Sequence, residues 1–202
     1  MKKVISILAG LFLFTVLSCN NKTLDRKDYI SYIQDEDNGF IRKVELEELA
    51  YTFQYRPGEL MALQENVHLD KTQKEARIKD LEGTLNFVVK IKTVKSNVPP
   101  LKYNISSLAE YNTRLNYYMS IAQKDFNISY GNTILTPTGY SYETNYGLTP
   151  EDAIVLQFTL PNGEKKIMHD IQLSYNDRVF QNGIIKTKFS KTNLNNIPKL
   201  NV

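Results

Sequence analysis

A chain of 202 residues with 42% hydrophobic and 23% charged side chains is long and apolar enough to bury a core, which excludes a disordered tail and a fibrous repeat. One cysteine and two histidines exclude an intramolecular disulfide framework and a cysteine-rich zinc site. A net charge of +3 is too small a bias to argue for a nucleic-acid partner.

The chain opens on Met1, Lys2 and Lys3, continues through an apolar stretch over 4–17 and reaches Ser18 and Cys19. A basic segment followed by so short an apolar one is a leader and not a membrane span, which needs about 20 apolar residues. Val16-Leu17-Ser18-Cys19 resembles the lipobox of bacterial lipoproteins. The resemblance implies that residues 1–18 are removed as a signal peptide, that the Cys19 sulfur carries a diacylglycerol and that the new amine is acylated, with palmitate as the typical chain. Asn20 in place of aspartate implies outer-membrane sorting, and the lack of an acidic run after Cys19 implies a domain facing the periplasm. One acyl chain binds marginally at about 0.8 kcal/mol per buried methylene, whereas two or three anchor stably. Without Lys2 and Lys3 the net charge falls to about +1. Residues 19–22 form a lipidated tether reaching roughly 15 Å, and 23–202 form a single globular domain. Beyond the lipobox the chain is similar in style, without a shared motif, to small uncharacterised α+β envelope lipoproteins of Gram-negative bacteria.

Thr23 is placed to cap a helix over 24–34 that turns its Tyr29 and Ile33 inward and ends at Asp37-Asn38-Gly39. Alternation over 40–55 changes phase near Glu47-Glu48, which predicts a bulge or turn between two strand segments. Pro57 starts a short helix over 59–65. A charged helix over 70–80 follows, Gly83 breaks it, and 84–95 alternates as a strand. After a stiff loop at 96–100 comes the best amphipathic pattern. Ser107 with Glu110 forms a capping box, and Leu108, Tyr111, Leu115, Tyr118, Met119 and Ala122 recur at helical spacing, predicting a core-facing helix over 107–124. Strands are predicted over 126–130 and 133–136, a tyrosine-rich loop over 137–147 and a capped helical turn over 149–152. An antiparallel meander of 153–160, 165–175 and 184–189 closes the chain. The expected fold is α+β, a mainly antiparallel sheet of roughly six to eight strands with the 107–124 helix packed on one face.

Chemistry is sparse. His169 is in phase with Ile167 and Ile171 and reads as a partly buried structural residue, while adjacent Asp170 points to the opposite face. His68 has no histidine at helical spacing with which to hold zinc. Cys19 is taken by lipid, and Gly139-Tyr140-Ser141-Tyr142-Glu143 ends in glutamate where a nucleophile elbow needs glycine. Glu143, Glu151 and Asp152 are close in sequence and form the candidate carboxylate pair, although a capped turn explains the last two more simply. Lys90, Lys92, Lys95, Lys186 and Lys188 read as a solvated face that discourages edge pairing, with a polyanion or anionic-lipid contact as the sharper alternative. Thirteen tyrosines without a tryptophan are the most suggestive feature. Tyr140, Tyr142 and Tyr146 are the candidate contact surface; core and sheet-covering roles are the plainer reading. These features predict a membrane-anchored envelope lipoprotein, non-enzymatic and without a cofactor, that binds an envelope protein or serves assembly. A hydrolase using a carboxylate pair and a sugar- or lipid-binding lipoprotein with a concave apolar pocket are the alternatives.

Overall fold

The computed structural model describes residues 23–65, 70–144 and 149–201. Thr23–Leu24 (β1) pairs in parallel with Lys199 and Leu200 near the far end of the chain, so the first helix starts later than Thr23. Asp25 caps it instead, accepting the Asp28 N–H at 2.9 Å, and Arg26–Gln34 (α1) buries Tyr29 and Ile33 as the spacing requires. The chain leaves α1 through Gly39, whose φ of +82° favours glycine. The two phases of the next segment are two strands, Ile41–Leu46 (β2) and Leu49–Arg56 (β3), paired about Glu47-Glu48. Gly58–Gln64 (α2) follows Pro57, and Lys71–Asp80 (α3) is closed by a reciprocal capping box between Asp70 and Gln73. Thr84–Thr93 (β4) is the longest strand.

Leu108–Asn116 (α4) then precedes Phe126–Tyr130 (β5), Thr133–Leu135 (β6), Gly139–Glu143 (β7) and Glu151–Thr159 (β8). Ile171–Asp177 (β9), Gly183–Phe189 (β10), Lys191–Asn195 (α5) and Lys199–Leu200 (β11) complete the described chain. The fold is α+β and its sheets are mainly antiparallel. One sheet has the order β2-β3-β4-β8-β7 and the other β10-β9-β5-β6. Their inner faces share one core, where Phe87 meets Phe189 with ring centres 5.2 Å apart and Tyr51 meets Tyr175 at 6.2 Å.

The C-terminal strands pair differently from a simple meander. β9 and β10 form the expected hairpin, but both edges of β8 are occupied, by β4 and β7, so residues 161–170 cross to the second sheet and β9 inserts between β10 and β5. Ile167 is held on that crossing by Asn195, which donates to its carbonyl at 2.7 Å. His169 precedes the strand and is exposed; it meets the Tyr130 ring edge-on at 5.0 Å and covers Gly131.

The two ends of the first sheet differ. Where β3 finishes and β4 begins, the Tyr55 N–H donates to Phe40 and the Leu160 N–H to Gly83. α1, α2, α3, α5 and the β1–β11 pair gather there. Where β4 finishes and β8 begins, the end carries the 3-10 turn Pro100–Lys102 and α4. Ten residues of β4 separate the two ends by about 30 Å.

Candidate functional site

The strongest amphipathic segment does not put its whole apolar stripe into the core. Ser107 accepts the Glu110 N–H at 3.1 Å, but the Glu110 carboxylate reaches Ser106, so the cap is shared by two serines. After Asn116 the helix widens into a π turn at Tyr117–Ile121 and tightens into a 3-10 turn at Ala122–Asp125. This change of winding sends Tyr118 and Ala122 inward. Leu108 stays 73% exposed and Met119 58% exposed, with Tyr111 and Leu115 half-buried between them. The expected core-facing helix is therefore corrected for Leu108 and Met119. The side of α4 that faces the protein carries Tyr111 and Leu115, packed against the core, and Arg114, which donates to the Pro100 and Tyr103 carbonyls at 2.7 Å each and lies over the Phe180 ring at 5.0 Å.

The displaced stripe borders a cleft of about 540 Å³ lined by Leu101, Tyr111, Leu115, Met119, Tyr142 and Asp152. Its floor comes from β8. Asp152 is on the inner phase with Ile154 and Leu156, is only 3% exposed and accepts the Leu101 N–H at 2.8 Å. Burial raises its pKa above the ordinary aspartate range, outweighing the Leu101 N–H, the Tyr142 hydroxyl and Lys102, which favour its charged form. Burial also pushes the Tyr118 and Tyr142 phenols far upward, so they stay protonated at physiological pH.

Two of the three candidate tyrosines lie on a strand and not in a loop. β7 is an edge strand paired with β8, with Gly139, Ser141 and Glu143 turned outward. Tyr142 is 8% exposed and stacks on Tyr118, ring centres 4.9 Å apart, while Tyr140 donates to the Tyr118 carbonyl at 2.5 Å. Both tyrosines thus lock β7 to the π turn, and Tyr142 also forms a wall of the cleft. Tyr146, Cys19 and His68 lie outside the described residues.

Of the three candidate acids, Asp152 and Glu143 border the same cleft, Glu143 from the last position of β7, and Glu151 does not. Residues 151 and 152 begin β8 and do not form a helical turn, so alternation sends Asp152 inward and Glu151 outward. Glu143 and Glu151 share the outer face on a diagonal of adjacent strands, and Glu151 pairs with Lys90 at 2.7 Å. Among the described residues no group of three His, Cys, Asp or Glu side chains is placed to hold a metal ion, and no helix is long and apolar enough to cross a membrane. The position of Asp152 was signalled in the sequence by its phase with Ile154, Leu156 and Phe158; the exposure of the α4 stripe carried no such signal. No family model, curated protein or solved structure matches the chain.

Proposed function

We propose that the protein is a lipoprotein of the bacterial cell envelope, anchored in the outer membrane through acyl chains on Cys19 and facing the periplasm. Its role is recognition without catalysis, and its partner is an envelope protein that seats a polypeptide segment on the α4 cleft. The lipobox residues support the anchor. The observation that carries the recognition role is the stripe Leu108, Tyr111, Leu115 and Met119, bare at both ends. From residue 108 to residue 119 it runs about 16 Å along a helix axis, which suits a length of polypeptide better than a compact ligand. Covering such apolar surface is favourable by about 25 cal/mol per Å².

A photo-cross-linking amino acid at position 119 in living cells tests this reading, with position 79 on α3 as the control. The expected result is a discrete protein adduct from 119 that Leu115→Asp abolishes and that 79 does not give. Equal adducts from both positions, or none from 119, would overturn it. The anchor is tested separately by Cys19→Ala, which is expected to release the protein from the membrane fraction. Acyl mass on the N-terminal peptide is the matching positive result.

The cleft volume favours a sugar or lipid as the second reading, because about 300–1,000 Å³ is usual for small-molecule sites. That reading predicts a low-mass adduct from position 119. The hydrolytic alternative has less support: Asp152 and Glu143 both border the cleft, but Asp152 is buried with its carboxylate engaged by the Leu101 N–H, and Glu151 pairs with Lys90 on the outer face.

A further inference from the structure

We infer that the anchor and the cleft occupy opposite ends of the sandwich, so that the cleft is held away from the bilayer and receives its polypeptide from the aqueous side. This deepens the recognition role and rests on the anchor at Cys19. The described chain begins at β1, which hydrogen-bonds to β11 and packs on α1, at the end where β3 finishes and β4 begins. Residues 19–22 can span at most roughly 15 Å, so an anchor at Cys19 keeps that end close to the lipid. The cleft is at the other end, about 30 Å further along β4, where the Leu101 N–H meets Asp152.

The anchored end also has the side chains of an interfacial contact. Met168 is 54% exposed on the 161–170 crossing, beside the exposed Lys166 and Lys165, the latter paired with Glu82 at 3.0 Å, and Lys191 reaches the Met168 carbonyl at 3.3 Å. An apolar tip among ammonium groups suits the headgroup region of an anionic leaflet, where each lysine near the surface contributes about 1 kcal/mol. Met119 and Leu108, at the far end, are left for a protein that stands off the membrane, and the headgroups of the anchoring leaflet are out of their reach.

The test uses the acylated full chain in phosphatidylethanolamine–phosphatidylglycerol vesicles containing a nitroxide-headgroup lipid. Cys19 is acylated, so Met168→Cys and Met119→Cys each supply one free thiol for a fluorophore, and both variants are first checked for an unchanged unfolding midpoint. The expected result is severalfold stronger quenching at 168 than at 119. Equal or stronger quenching at 119 in vesicle-bound, acylated protein would overturn the inference and leave the anchor standing. A chain that carries no acyl mass and does not stay with the vesicles would overturn the anchor, and the inference falls with it.

Discussion

Asp125, Asp152 and Asp177 are all buried, and each has a tyrosine hydroxyl beside it. Tyr117 donates to Asp125 at 2.9 Å with Arg178 opposite at 2.7 Å, and Tyr51 donates to Asp177 at 2.5 Å with Asn182 at 2.9 Å. A hydrogen bond to a buried charged group contributes about 1.5–3 kcal/mol, so Tyr51→Phe is expected to cost about that much in urea denaturation. Asp152 gives a pH signature of its own. Its folded pKa is raised by burial, so the folded state binds the proton more readily than the unfolded state. The stabilisation from that proton is complete below the unfolded pKa and is lost as the pH rises through the folded one. Asp152→Asn keeps an acceptor for Leu101 and removes the titration. Relative to this variant, the wild type is expected to gain stability as the pH falls from 7 towards 4, and urea midpoints at several pH values measure the gain. The abundance of tyrosine was plain in the sequence. Its use as a partner for buried carboxylates was not, because Tyr51 and Asp177 are 126 positions apart and only the packing of two sheets brings them together.

Helix α4 separates apolar pattern from burial. A core-facing leucine truncated to alanine costs about 2–5 kcal/mol, whereas a surface change usually stays within about 0.5 kcal/mol. Leu108→Ala is expected to fall in the second range and Tyr118→Ala to cost about 3–5 kcal/mol, with denaturant midpoints as the readout. The periodicity found this helix because six apolar residues share a helical face. It could not reveal the π turn, which depends on Tyr140 and Tyr142 engaging Tyr118 from an edge strand. That strand was hidden by Pro137 and Gly139 and by the small or polar residues on its outer side. By contrast, the β2–β3 turn, the charged helix after residue 70 and the β9–β10 turn were legible, since each depends on chemistry within a few residues.

Across the whole molecule, distant segments are pinned by close approach. A Cβ added to Gly39 would lie 2.2 Å from the Asn193 amide nitrogen, joining the α1–β2 turn to α5. Gly163 also has positive φ, at +70°, but open space around it. Gly39→Ala is therefore expected to lower the melting temperature by more than Gly163→Ala does, the difference reporting the Asn193 contact and the similar φ cost cancelling. The antiparallel character of the sheets was readable from alternation and turns. Their division into two was not, because it follows from which strand edges remain open once β8 has two neighbours.

The β1–β11 pair has a mechanical consequence. Its strands run parallel and lie at the two ends of the described chain, so tension between those ends loads their hydrogen bonds in shear. In the anchored protein proposed above, a pull between the membrane and a partner would instead enter through β1 alone. With only two residues paired, β1 would be the first element to peel, adding roughly 10 Å of chain before either main sheet is loaded. Under the proposed anchorage the junction would serve as a slack-giving link, leaving the cleft intact while its partner moves through that distance.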